Sequence, residues 1–257
     1  MVFGYVYETG KRSGNEDALL FRSSLFAGGE LLFMAVCDGM GGMENGAEAS
    51  GFCIREMETW YDRQLLPYIG TCSRQLRDIG PALKSKGFCL YRQMNQALFQ
   101  QMRCTGRKMG STATMCIVYE NRYYLFHVGD SRAYLLKHRM GNSSFRQLTI
   151  DHGNGNGLSR CMGLNKEWKP DFKTGRIGKK GMLLCTDGFY RQYKKAVWKG
   201  CLNPQKLEGE ESIRKRLREI ADYNMRQGEQ DNISAIYMNR SRNERRESGK
   251  WSFRKSM

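Results

Sequence analysis

The sequence predicts an α+β protein, in which antiparallel sheets and helices form separate layers. Short apolar segments recur along the chain, and several are separated only by tight turns, which is typical of antiparallel neighbours. Two long stretches with helical periodicity follow the first strands, and a third precedes the last strand. A doubly wound parallel sheet is not expected, because the chain lacks its regular alternation of one strand with one helix.

The predicted strands are apolar runs rich in β-branched and aromatic residues. Breaks such as Glu-Asn-Arg after Tyr119 and Gly-Asp-Ser after Val128 join some of them in pairs. We predict nine strands, at Val2–Tyr7, Ala18–Arg22, Leu31–Cys37, Thr112–Tyr119, Tyr123–Val128, Ala133–Lys137, Phe145–Leu148, Met182–Cys185 and Ile233–Met238.

The predicted helices have apolar residues three or four positions apart, a spacing that places them on one helix face. The first helix lies between Glu44 and Leu65, and the second has the same spacing from Tyr91 to Met102. The third runs from about Glu211 to Met225, and its other face is made of Arg, Lys and Glu, which indicates a solvated surface.

Length and composition favour one globular domain. The chain has 257 residues, of which 40% are hydrophobic and only 4 are proline, and no Pro- or Ser-rich linker divides it. We assign residues 1–238 to this domain and residues 239–257 to a mobile, basic tail. The tail has seven basic residues against two acidic ones and no sustained apolar period.

Cysteine usage and hydropathy predict a cytoplasmic protein. The 9 cysteines never form a C-x-x-C pair, so neither a disulfide framework nor a zinc ribbon is expected. The N-terminus lacks the pattern of a secretory signal, and the longest uncharged apolar run, Leu31–Cys37, is too short for a transmembrane segment. The net charge of +16 allows nucleic acid, an anionic membrane or a phosphorylated partner and does not choose among them.

Acidic residues stand beside small residues at the ends of predicted strands. Each of these positions alone is also typical of a turn or a helix cap. Carboxylates that converged there would repel one another and call for a cation, and oxygen ligands without His or Cys favour Mg²⁺ or Mn²⁺ over zinc. The acids are Glu16, Asp17, Asp38, Asp130, Asp187 and Asp231, and Asp38 and Asp187 are each followed by glycine.

Taken in order, the segments around these acids resemble the metal-dependent phosphatases of the protein phosphatase 2C family, and Met40 between its glycines resembles the bacterial branch. The resemblance runs from about Gly4 to Met238. Its most specific segments are Arg12–Asp17, Val36–Gly42, Gly110–Ala113, Val128–Arg132, Leu148–His152, Thr186–Gly188 and Asp231–Ser234. It implies a four-layer α-β-β-α sandwich of two antiparallel sheets with helices outside and metals at one end.

The resemblance also implies roles for individual residues. Asp38 would bridge two Mn²⁺ or Mg²⁺ ions, and a weaker third ion would lie between Asp130 and Asp187. The remaining ligands would be Glu16 and the Gly39 carbonyl for one ion, and Asp187 and Asp231 for the other. The implied reaction is hydrolysis of phosphoserine or phosphothreonine in proteins by a metal-activated water, with no phosphoenzyme. Its catalytic residues would be Arg12, which binds the substrate phosphate, Asp38 and Asp187.

The chain departs from the family pattern at three places. Methionine stands at 40, where eukaryotic members place a histidine, and at 43, where many bacterial members have one, so the acid that protonates the leaving group is not identified. The mobile flap of bacterial relatives is reduced to a glycine-asparagine segment at 153–157, which predicts an open site whose substrate selection is weaker or is supplied by the basic surface. Arg191 stands where relatives commonly have an acid and adds a positive charge near the site, which would either aid phosphate capture or weaken the third metal.

Two other functions compete with the phosphatase. A catalytically weak or inactive phosphoprotein-binding scaffold on the same fold would explain the missing histidines and flap. Nucleic-acid binding rests on charge alone and is not expected. The predicted partners are phosphorylated proteins, with a Ser/Thr protein kinase as a further partner, and the predicted state is a monomer.

Overall fold

The computed structural model describes residues 1–26, 29–40, 45–72, 79–139, 142–153, 157–178, 180–192, 201–240 and 251–255. The strands are β1 (Val2–Glu8), β2 (Asp17–Phe26), β3 (Gly29–Asp38), β4 (Ala113–Tyr119), β5 (Arg122–Val128), β6 (Arg132–Arg139), β7 (Asn142–Gln147), β8 (Asp171–Arg176), β9 (Gly181–Cys185), β10 (Ile233–Asn239) and β11 (Trp251–Lys255). The helices are α1 (Gly46–Trp60), α2 (Leu66–Cys72), α3 (Ile79–Thr105), α4 (Asp187–Tyr190) and α5 (Glu210–Arg226), and a π-helical turn, Tyr61–Leu65, joins α1 to α2.

The strands form two sheets in which every pairing is antiparallel. The five-stranded sheet has the order β1-β10-β9-β6-β7, and the six-stranded sheet has the order β11-β2-β3-β4-β5-β8. Most neighbours are not joined by a hairpin, so the sheets depend on contacts between residues far apart in the sequence.

Strand β3 shows why the sheets stack as they do. Its residues are buried on both faces: Leu32, Met34 and Val36 face the other sheet, whereas Phe33 and Ala35 face the helices. Successive side chains of a strand point to opposite faces, so a strand that is apolar throughout needs a cover on each side. The sequence of β3 therefore specifies an inner strand of a layered protein.

Three apolar clusters fill the spaces between four layers. One lies between the two sheets, and a second lies between the six-stranded sheet and helices α1 to α3. The third lies between the five-stranded sheet and α5, where Ile213, Leu217 and Ile220 form the buried face. This arrangement confirms the predicted α+β class and the four-layer α-β-β-α sandwich.

The nine predicted strands and three predicted helices are all present, with ends shifted by a few residues. The second helix is longer than its periodic segment and begins at Ile79. Strand β8 was not predicted, because its side chains are largely exposed or half-buried and it has no apolar alternation. Strand β11 lies in the segment predicted to be a mobile tail and pairs with the outer edge of β2. The domain boundary at 238 stays a prediction.

None of the helices within the described residues combines the length and the apolar character that crossing a membrane requires. All 9 cysteines are free. The prediction that no disulfide framework is present agrees with these thiols.

Gly87 fixes how closely α3 approaches the sheet. A Cβ at this position would stand 2.3 Å from the Cε1 and Cζ atoms of Phe126 on β5. We expect Gly87→Ala to lower the free energy of unfolding by about 1–3 kcal/mol, because overpacking outweighs the better helix propensity of alanine. Urea denaturation of the purified protein measures this change.

Gly70 on α2 is the matched control. A Cβ there would meet Phe26 Cε1 at 3.7 Å, which is an ordinary contact, so Gly70→Ala should leave stability unchanged or raise it by up to about 1 kcal/mol. The same effect at both positions would show that contact with Phe126 does not require glycine at 87.

Candidate active site

The acids predicted as metal ligands meet at one end of the sandwich. Asp38 ends β3, Asp187 follows β9 as the first residue of α4, and Asp231 precedes β10. The two sheets are connected there, because the Thr186 hydroxyl of one sheet donates to Asp17 Oδ2 of the other at 2.9 Å. Antiparallel order places the end of one strand beside the start of the next, and this brings acids from distant segments together.

Asp17 and Asp38 are direct partners in the ladder between β2 and β3. Burial raises the pKa of Asp17 to about 8, and hydrogen bonds from Ser234 and Thr186 only partly offset this. Burial also raises the pKa of Asp38 well above its usual range, and the charges of Asp17 and Asp187 raise it further. Two adjacent buried carboxylates are costly to ionise unless a cation is shared between them.

Gly39 allows the backbone to approach Glu16. A Cβ at Gly39 would stand 2.2 Å from the Gly46 carbonyl oxygen and 2.7 Å from the Glu16 carbonyl oxygen. The Gly39 N–H donates to that Glu16 oxygen at 2.9 Å. Burial raises the pKa of the Glu16 side chain. Only glycine fits here, so the two residues predicted to complete one metal site are adjacent in space.

Asn232 holds the loop that carries Glu16 and Arg12. Its side-chain oxygen accepts from the Glu16 N–H at 2.9 Å, and its amide donates to the carbonyls of Thr9 and Gly14 at 2.8 and 3.0 Å. The next residue back, Asp231, accepts from Arg12 Nε at 3.1 Å. The predicted phosphate-binding arginine therefore lies beside a predicted metal ligand.

Asp187 is a largely buried acid at the start of α4. Burial raises its pKa to about 7, while Arg191 lowers it and nearby Asp130 and Asp231 raise it. Its Oδ1 atom is buried and has no hydrogen-bond partner, whereas Oδ2 contacts the Arg191 guanidinium. An acceptor atom that is buried and unpaired is expensive, and binding a cation would remove that cost.

Two histidines support the loop that carries Asp130. The Gly129 N–H donates to His152 Nδ1 at 3.1 Å, so His152 carries its proton on Nε2 and donates to Asp171 Oδ2 at 3.1 Å. The rings of His127 and His152 lie 4.9 Å apart, and His127 Nε2 donates to the Ile150 carbonyl at 3.1 Å. Both rings are therefore used as neutral hydrogen-bonding groups.

Glu229 is a buried acid that the sequence analysis did not single out. Its Oε1 atom accepts from the Arg191 guanidinium at 3.0 Å and from the N–H groups of Gln230 and Asp231 at 3.0 and 3.2 Å. Glu229 thereby holds the loop in front of β10. An acid two residues before Asp231 was a signal in the sequence, but nothing local showed that it is buried.

A cavity of about 340 Å³ opens beside these acids. It is lined by Asp130, Asp151, Gly153, Gly157, Leu158, Asp187, Tyr190 and Arg191. The ends of the predicted short flap segment form part of its rim, and Gly153 and Leu158 are paired as an isolated bridge. Residues 154–156 lie outside the described residues.

The acids at this end of the sandwich have the donor chemistry of a divalent-metal site. Among the described residues, no group of three or more His, Cys, Asp or Glu side chains is arranged as a metal cage. The donors are nevertheless of the right kind for Mg²⁺ or Mn²⁺, they raise one another's pKa values, and Asp17 and Asp187 each have an Oδ1 atom that is buried without a partner. The acids therefore fit Mg²⁺ or Mn²⁺ chemically, and Arg12 and Arg191 balance part of their negative charge.

The methionine that replaces a family histidine lies close to this site. The Met40 Sδ atom contacts the Cys161 thiol at 3.2 Å, and Met43 lies outside the described residues. Cys37 and Cys185, which precede the two Asp-Gly pairs, are buried, and burial raises the pKa of both thiols. Neutral buried thiols agree with the prediction that neither is a nucleophile.

The fold and this end of the sandwich define the protein phosphatase 2C class. The family model for protein phosphatase 2C matches residues 9–236, and the chain belongs to that family. A serine/threonine phosphatase named Stp from Listeria welshimeri is 32% identical over 133 residues, which make up 51% of this chain and 48% of the relative. The matched region is thus about half the length of that curated relative.

Two solved structures share the fold. The serine/threonine phosphatase Stp1 from Staphylococcus aureus has a TM-score of 0.75 at 21% identity, over 94% of this chain and 96% of the other. The catalytic domain of the phosphatase PstP, solved in complex with two manganese ions, has a TM-score of 0.69 at 26% identity, over 92% of this chain and 96% of the other.

Because His127 is buried, we expect the folded protein to lose stability in acid. Burial lowers its pKa to about 4, so the unfolded chain takes up a proton near pH 6.5 that the folded chain does not accept until pH is near 4. Its contribution is therefore fully present above pH 6.5 and is lost as pH falls. Between pH 7 and 4, wild type should lose about 3 kcal/mol relative to His127→Gln.

Urea denaturation of both proteins at several pH values measures this difference. The comparison removes titrations that the two proteins share, including those of the buried aspartates. Parallel stability profiles for wild type and His127→Gln would show that the imidazole is protonated in the folded protein as readily as in the unfolded chain.

Proposed function

We propose that this protein hydrolyses phosphoserine and phosphothreonine in proteins, using two divalent cations at the end of the sandwich. The observation that carries the proposal is the convergence of acids from five separate segments at one sheet end, two of them with a buried, unpaired carboxylate oxygen. Membership of the protein phosphatase 2C family supports the reaction.

The proposed metal ligands are the six predicted residues. Asp38 would be shared by both ions, and Asp130 with Asp187 would serve a weaker third ion. The ligands of the first two ions would be Glu16, the Gly39 carbonyl, Asp38, Asp187 and Asp231. Bound Mn²⁺ or Mg²⁺ would supply a water of lowered pKa as the nucleophile. The two manganese ions in the PstP structure support the choice of metal.

The chain's own groups would bind and orient the substrate. Arg12 has a half-exposed side chain at the site, and a planar guanidinium can bind two phosphate oxygens at once. The charge that builds up on the phosphoryl oxygens would be balanced by Arg12 in addition to the cations. Tyr190 and Arg191 line the cavity through which a phosphorylated side chain would enter.

A phosphoprotein-binding scaffold is the second candidate. It is favoured by Met40 at a position where relatives carry a histidine, and by the pairing of two proposed metal ligands with arginines. A scaffold of this kind would bind phosphorylated proteins without turning them over.

The deciding measurement is hydrolysis of an aryl phosphate and a phosphothreonine peptide by purified protein, with Mn²⁺, with Mg²⁺ and with chelator. We expect metal-dependent turnover that falls at least about 100-fold in Asp38→Asn and in Asp187→Asn, because each substitution removes a charged metal ligand. Asp222→Asn on α5, outside the site, is the control and should keep wild-type activity. Binding of the phosphopeptide without turnover would favour the scaffold.

The short segment at 153–157 predicts broad substrate use. Gly153 and Leu158 pair with each other and line the cavity, and only four residues separate them in the sequence. Phosphothreonine peptides of unrelated sequence should therefore differ in kcat/KM by less than about tenfold, which corresponds to about 1.4 kcal/mol in transition-state binding. Strong preference for one peptide in a matched panel would contradict an open site.

The remaining assignments rest on the sequence and the family. Phosphorylated proteins are the proposed substrates, a Ser/Thr protein kinase is a further proposed partner, and a monomer in the cytoplasm is the proposed state. The free cysteines support a reducing compartment.

A further inference from the structure

Arg191 makes three ion pairs with acids at the proposed metal site. Its guanidinium contacts Asp187 Oδ2, lies 3.0 Å from Glu229 Oε1 and lies 3.6 Å from Asp231 Oδ2. Two of these three acids are proposed ligands of the same metal ion. The side chain of Arg191 is 46% exposed, whereas those of Asp187 and Glu229 are 14% and 3% exposed.

The backbone fixes this placement. Arg191 follows Asp187 by one helical turn, and its N–H donates to the Asp187 carbonyl at 2.9 Å. Side chains four residues apart lie on the same helix face, so Arg191 stands on the face that carries Asp187, and the two side chains form an ion pair. Asp231 and Glu229 reach the same guanidinium from the loop in front of β10.

A guanidinium and a divalent cation cannot both use the same carboxylate oxygens. Asp187 Oδ2 and Asp231 Oδ2 face Arg191, while Asp231 Oδ1 already accepts from Arg12 and from the Asn232 N–H. Only Asp187 Oδ1 is left without a partner. The arginine therefore offsets the repulsion among these acids in the metal-free protein, and a metal ion that takes up Asp187 Oδ2 or Asp231 Oδ2 must displace it.

Glu229 can still bind the Arg191 guanidinium after a metal ion has displaced it from Asp187. It is buried, it is not among the proposed ligands, and its Oε1 atom is held by two backbone N–H groups. This bond is made by Arg191 Nη1, whereas Asp187 Oδ2 is contacted by Nη2. The arginine can thus release Asp187 and remain anchored to Glu229 at the rim of the cavity.

We propose that Arg191 is an internal cation that competes with Mn²⁺ or Mg²⁺ for Asp187 and Asp231. It stabilises the metal-free protein and weakens metal binding, so that the site fills only at a higher metal concentration than the carboxylates alone would require. This inference rests on the proposed metal-dependent function, because it presupposes that Asp187 and Asp231 are metal ligands.

Calorimetric titration of MnCl₂ into the chelator-treated full chain tests it, together with thermal unfolding with and without Mn²⁺. Arg191→Gln should bind Mn²⁺ at least tenfold more tightly than wild type, because the competing charge is gone. Without metal the same variant should have a lower Tm than wild type, because its acids lose their counter-ion, and saturating Mn²⁺ should abolish that difference. Arg191→Lys, which keeps the charge, should lie closer to wild type in both measurements.

Arg216→Gln is the matched control, since Arg216 pairs with Glu219 on the surface of α5 and should change neither quantity. Equal or weaker Mn²⁺ binding by Arg191→Gln, with binding lost in Asp187→Asn, would overturn the role of Arg191 and leave the metal site standing. Equal Mn²⁺ binding by wild type and Asp187→Asn, or no binding by wild type, would overturn both the metal site and the inference.

Discussion

Repulsion among buried carboxylates is the constraint on which this end of the molecule depends. Asp17 is buried, Asp38 and Asp187 are partly buried beside it, and loss of solvent is the largest cause of the raised pKa of each. Folding places them there because strand pairing and packing elsewhere stabilise the sandwich. Such a cluster is stable only with protons, arginines or metal ions to balance it, and it therefore has a built-in affinity for cations.

The apolar core of the sandwich lies apart from the acids. Its three apolar clusters lie between the layers, and the acids stand where strands end and loops begin. Several supporting contacts come from neutral groups: Thr186 donates to Asp17, Asn232 holds the Glu16 loop, and His152 holds Gly129. The scaffold can thus remain folded while the charge at the site changes between guanidinium and metal.

The parts of the fold that were predicted correctly have local signals. Strands such as β3 and β10 are largely apolar, and α5 has one clear apolar face. Strand β8 lacks such a signal because its side chains are largely exposed or half-buried. Pairing with β5 holds it in the sheet. The assignment of individual acids as ligands came from family resemblance. The structure adds that these acids converge, which would not be expected if each one only formed a separate turn.

By itself, the sequence determined the class of fold, the inner strands and the positions of acids at strand ends, because side-chain periodicity and Asp-Gly turns are properties of neighbouring residues. Tertiary structure alone decided which charges meet. The three acids around Arg191 come from α4 and the loop before β10, two segments that the fold brings together. Electrostatic interactions depend on the distance between charges in space, and the separation of two residues along the chain does not determine that distance.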